Sequence, residues 1–93
     1  MVKLTQIKKN SYNSYILTSV YVNPKHIVFM AEEPKLKSEL VEGKINLGLD
    51  KNIVFTEIRL NDSHRITNLT VVGTPEMIES KINTSSRKLL ISQ

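Results

Sequence analysis

Two runs of this chain, Asn52–Leu60 and Arg65–Val72, alternate apolar and polar side chains and are separated only by Asn61-Asp62-Ser63-His64. A period of two is the signature of a half-buried strand. Asn, Asp and Ser favour turns because their short polar side chains bond to nearby backbone groups. The segment therefore reads as an antiparallel hairpin. Its register puts Val54, Thr56, Ile58 and Leu60 on one face and Ile53, Phe55, Glu57 and Arg59 on the other. The expectation is that Val54, Ile58 and Leu60 face the core, with Glu57 and Arg59 in solvent. A lone hairpin is marginal in water, so the rest of the chain must add strands and a cover.

The added strands are legible. Residues 2–7, VKLTQI, alternate with Val2, Leu4 and Gln6 on one face, and residues 8–14 read as a polar link. YILTSVYV, residues 15–22, has the β-branched and aromatic content of a strand. Asn23-Pro24 then sets a single tight turn before IVFMAEE resumes strand character. Residues 34–51 carry a proline, two glycines and seven charges and read as a long loop or excursion, with a short helical piece around Lys37–Val41. At Gly73 the last strand stops. Thr74 is a good N-cap, Pro75 suits the first helical position, and Glu76 complements the positive helix end. Met77, Ile78 and Ile82 are expected on one face of a helix of about two and a half turns, too short to stand alone. It should lie on the sheet as a lid. The tail, residues 84–93, ends in Leu89, Leu90 and Ile91; these are expected to be buried against a second subunit, or else to form an edge strand.

The expected fold class is thus α+β, mainly β. It is a small antiparallel sheet or partly open barrel of about five strands, with one short C-terminal helix packed on it. With 93 residues there is room for one domain, 1–93.

Composition narrows the chemistry. The chain has no cysteine, which removes disulfides, thiolate nucleophiles and Cys-ligated zinc. The first fifteen residues hold no apolar stretch of the signal-peptide kind, and no apolar run approaches the roughly 20 residues of a membrane span. A cytoplasmic protein without membrane insertion is expected, and the two N-x-[ST] sequons at Asn68 and Asn83 are read as incidental. His26 and His64 fall in turns, where exposed histidines are common, and form no metal-ligand spacing; only Asp62 lies near His64. No HExxH, GxSxG or P-loop pattern occurs. Glu32 and Glu33 are adjacent in a strand and would point to opposite faces. No catalytic residue, metal ligand or cofactor is expected.

Net charge is +4, a mild bias that suits a solvated surface or an anionic partner. Lys8 and Lys9 precede Tyr12 and Tyr15, and Arg59, Arg65, Arg87 and Lys88 add further cations. Cations interleaved with aromatic rings suit phosphate pairing with base stacking. These eight residues are the candidate ligand- or partner-binding set, with Leu89, Leu90 and Ile91 as the candidate oligomer interface.

The pieces VKLTQI, VNPKHIVFMAEE, TEIRLND and VVGTPEMIESKI, in that order, resemble the small FlbD/SwrD-type accessory proteins found beside flagellar genes, and short phage-encoded relatives of that pattern. Those proteins begin with a Leu-Thr strand, continue through an Asn-x-x-x-Ile turn and an Ile-x-Leu strand, and close with a Val-x-[ST]-x-E-x-[IV] helix entry. This chain departs from them in residues 34–51, in a longer stretch before the closing helix and in its apolar tail. The resemblance carries no catalytic residues and implies a small, non-enzymatic accessory role, here of a phage or mobile-element kind. The leading expectation is an oligomeric regulatory module that modulates a host or cognate protein. The alternatives are a phage anti-defence protein that sequesters an anionic nucleotide signal, and a nucleic-acid-binding regulator.

Overall fold

The computed structural model describes the backbone of residues 1–91 and the side chains of residues 1–84. Five strands, β1 (Val2–Lys9), β2 (Tyr15–Val22), β3 (Ile27–Glu32), β4 (Phe55–Asn61) and β5 (Ile66–Val72), form one antiparallel sheet in the order β2-β1-β5-β4-β3. Two helices accompany it, α1 (Pro34–Val41) and α2 (Pro75–Ile91), and the fold is mostly β.

The hairpin has the expected register, with Ile58 opposite Leu69 and Thr56 opposite Val71. Its turn is held by side chains bonding back to the chain: Asn61 accepts from the Ser63 N–H, and Asp62 from the N–H groups of His64 and Arg65. The first link is shorter than the sequence suggests, because Lys8 and Lys9 pair with Ile16 and Tyr15 as part of β1. Asn10 then closes the turn by accepting from Tyr12 and Ser14 N–H groups.

The turn at Asn23 forms as expected, its side chain accepting from the Lys25 N–H before a 3₁₀ turn over Pro24–His26. The strands it joins do not pair with each other. They occupy opposite edges of the sheet. A link of Asn23–His26, mostly wound into a 3₁₀ turn, is too short to cross the about 19 Å width of a flat five-strand sheet. The sheet must therefore curl. Val20 and Val22 of one edge strand line the same cleft as Leu60 and Leu69 of β4 and β5. Only Gln6 and Val71 are register partners between β1 and β5. No ladder joins β2 to β3, so the sheet is not closed.

Both sheet faces carry core. On the concave face Val2, Leu4, Val22, Ile58, Val71 and Ile78 are buried together, with Ile78 and half-buried Ile82 coming from α2. This is the expected lid. Gly73 enters it at φ +119°, a conformation that L side chains rarely adopt, and Thr74 caps it by accepting from the Met77 N–H. Met77 does not share the buried face, being 59% exposed. A helix turns about 100° per residue, so a neighbour of Ile78 at the helix edge is easily left outside. The lid runs for 17 residues rather than two and a half turns. Residues 84–91 continue the helix backbone, so the edge-strand alternative for the tail does not hold; the side chains of Leu89, Leu90 and Ile91 lie outside the described residues, and with them the oligomer-interface expectation.

The second cluster, Ile7, Leu40, Ile45 and Phe55, lies on the other face and corrects the expectation of a single helix over one face. The excursion of residues 34–54 folds beneath that face as a second cover. Glu33 caps α1 by accepting from the Lys35 N–H, and Gly43, at φ +83°, lets the chain reverse. Lys37 then donates to the carbonyls of Lys51 and Ile53, tying the returning chain to the helix. Phe55 consequently reaches 0% exposure on the face opposite Ile58.

Candidate functional site

The second cover is smaller than the face it lies on. Beyond Phe55 and Val72 the convex face continues into Glu57, Arg59, Thr70 and Asn68, and onto β3 at Phe29 and Ala31, all paired across the same ladders. A register shift between Ile27 and Phe29 sets this arrangement. It turns Ile27 and Met30 towards the concave core and Phe29 to the convex face.

Arg59 organises the open area. Its guanidinium stands 5.8 Å from the centroid of the Phe29 ring, and its Nε donates to Asn68 Oδ1 at 3.3 Å. Phe29 is 48% exposed and Ile66, next but one to Asn68 on β5, is 65% exposed. Among the described residues the one ion pair is Lys44–Glu42, so no carboxylate neutralises Arg59 through a salt bridge.

A second cation–ring pair lies on the same face at the far edge. Lys9 Nζ sits 5.1 Å from the Tyr15 ring centroid. The Tyr15 hydroxyl donates to Glu39 Oε2 at 2.6 Å, which fastens α1 to β2. That bond, with burial and the Glu39 charge adding to it, pushes the Tyr15 phenol up to about 12. Tyr15 is thus partly a structural residue, its hydroxyl already engaged.

Of the residues singled out from the sequence, Lys9, Tyr15 and Arg59 share this face. Lys8 is one residue from Lys9 and lies on the opposite face. Tyr12 is 87% exposed in the first turn, apart from the sheet. Arg65 sits at the β4–β5 turn and lines the concave cleft instead. The side chains of Arg87 and Lys88 lie outside the described residues. The six candidates whose side chains are described therefore do not form one basic site.

Phe29, Ile66 and Asn68 were not singled out. The sequence signal was an exposed aromatic on an edge strand, but only the register shift after Ile27 puts it opposite Arg59. Among the described residues no three His, Asp or Glu side chains are placed to hold a metal ion, and no helix is long and apolar enough to cross a membrane. No family model, curated protein or solved structure matches the chain.

Proposed function

We propose that this protein is a non-enzymatic, cytoplasmic binding module that modulates a cognate protein through the uncovered part of its convex sheet face, and that its curled sheet acts as a partly open barrel carrying that surface. One observation carries the reading: Phe29 and Ile66 remain 48% and 65% exposed around an Arg59 that joins no ion pair among the described residues. Aromatic and arginine side chains dominate the energetics of protein interfaces, and exposed apolar groups grouped around them mark binding surfaces more often than isolated ones do. The FlbD/SwrD-like accessory role points the same way. The ring pairs Arg59–Phe29 and Lys9–Tyr15 support a second reading, a single-stranded nucleic acid or nucleotide, through phosphate contacts and stacking. Self-association through the same surface is the third occupant.

A photo-crosslinking amino acid at position 29, introduced in the native host, separates these readings. The expected result is an adduct of discrete mass with a different protein. It should be absent when the probe is placed at exposed Glu76, and weakened by Arg59→Ala. A nuclease-sensitive adduct establishes the second reading, and an adduct of twice the chain mass establishes self-association. No adduct at position 29 beyond that seen at position 76 overturns the proposal.

A further inference from the structure

The concave face is also incompletely covered. α2 fills one end with Ile78 and Ile82. At the other end, where β2 crosses over to β3, a cleft of about 440 Å³ remains. That lies within the roughly 300–1,000 Å³ of typical small-ligand sites. Its walls are apolar, with Val20 and Val22 on one side and Leu60 and Leu69 on the other. Its rim is polar, with His26 from the 3₁₀ turn and Asp62 and Arg65 from the hairpin turn.

The rim's charges are arranged unequally. Asp62 Oδ1 accepts from the N–H groups of His64 at 3.1 Å and Arg65 at 3.0 Å. These backbone bonds, first from Arg65 and then from His64, with the charges of Arg65 and His26 adding to them, hold its carboxyl below the usual carboxylate range. Its role is to fix the turn. Arg65, by contrast, joins no ion pair among the described residues. An apolar slot with a guanidinium in no direct ion pair at its mouth, sharing only the longer-range field of Asp62, complements an amphiphilic anion. The fixed negative charge of Asp62 beside it disfavours a head that carries two charges.

We propose that this cleft binds a small carboxylate with an apolar body, the body lying between β2 and the β4–β5 hairpin and the singly charged head meeting Arg65 and His26. This site is on the opposite sheet face from the Phe29–Arg59 surface and does not rest on the function proposed for it.

The test uses the full chain and decanoate below its aggregation concentration, followed by amide chemical shifts. Saturable shifts are expected at Val20–Val22 and Thr67–Leu69, and none within α1 (Pro34–Val41), which lies under the other sheet face. Arg65→Gln should weaken decanoate at least tenfold with an otherwise unchanged spectrum. Decanol and decyl phosphate should each bind at least tenfold more weakly than decanoate. Leu69→Phe, which fills the slot without touching the rim, should abolish binding. Should Arg65→Gln perturb the fold, the comparison of decanoate with decanol decides the role of charge. The proposal is overturned if decanol binds as well as decanoate, if decyl phosphate binds better, or if the shifts map elsewhere.

Discussion

Thr56→Val tests how the sheet is joined to its lid. Thr56 is wholly buried, and its Oγ1 donates to the Gly73 carbonyl at 2.7 Å. Gly73 is the residue at which β5 ends and the cap of α2 begins. Valine keeps the shape of the side chain and replaces the hydroxyl with a methyl. The buried carbonyl then loses that donor, at a cost of about 1–3 kcal/mol. The extra methyl returns up to about 0.8 kcal/mol of apolar burial. The net expectation is a loss of about 0.2–3 kcal/mol, centred near 1.5, which in a domain of this size lowers Tm by roughly 6–12 °C at that centre. Urea denaturation should show a lower midpoint with an unchanged slope, since the same surface is exposed on unfolding.

Location provides the sharper readout. Met77 and Ile78 N–H groups bond to Thr74, one residue beyond Gly73. Their hydrogen exchange should accelerate in Thr56→Val more than exchange in β1 and β2 does. Thr56→Ser keeps the hydroxyl and loses a methyl; it should cost about 0.8–1.5 kcal/mol without that local effect. A Thr56→Val protein that melts at or above the wild-type temperature, with unaltered exchange at Met77 and Ile78, refutes the assignment of this bond as the joint.

Other consequences are open to measurement. Ile58→Ala should cost about 2–4 kcal/mol in urea denaturation, while Glu57→Ala should be close to neutral; the reverse order would mean a hairpin register displaced by one residue. Phe55→Ala should cost about 3–5 kcal/mol and speed hydrogen exchange within residues 36–53 before that of α2, because Phe55 packs with the excursion and not with the lid. Thr74→Ala should cost about 1 kcal/mol by removing the cap, seen as faster exchange in the first turn of α2 alone. Tyr15, raised from the usual 10.0 to about 12, holds its proton more tightly folded than unfolded. Its contribution is therefore complete below pH 10 and lost as pH rises through about 12, and Tyr15→Phe should flatten the decline of stability across that window.

The hairpin, the turn at Asn23 and the capped entry to α2 were legible because each is decided locally. Alternation gives the strands, and the Asn61, Asp62 and Thr74 side chains bond to their own neighbourhood. The second cover was not legible. Leu36, Leu40, Ile45, Leu47, Leu49 and Ile53 are spaced too irregularly to match either a strand or a long helix, and the glycines among them read as breaks. Gly43 instead ends a helix, and Lys37 ties the loop through backbone carbonyls that no pattern reveals. Phe55 could be placed on the right face of β4 but not recognised as buried, because what buries it comes from this excursion. The candidate site failed in part for a similar reason. Lys9 and Tyr15 meet through hairpin pairing, which alternation anticipates, whereas Phe29 meets Arg59 only because of an irregularity in β3.

The two surfaces left uncovered are assigned to their faces by one register. Arg65 and Ile66 are consecutive, yet Arg65 lines the concave cleft and Ile66 stands on the convex side with Asn68 and Arg59. A slip of one residue between β4 and β5 would exchange the faces of every side chain on the slipped strand. It would carry Leu69 and Val71 out of the concave core and bring Asn68 and Thr70 in, leaving buried polar groups without partners. Burial of Val71 at 0% exposure thus does more than stabilise the sheet. The core contacts that pin β5 against Ile58 also hold Arg65 at the cleft and Asn68 beside Arg59. Substitutions at Val71 should for that reason disturb both surfaces together, whereas changes at Phe29 or Leu69 should each disturb one.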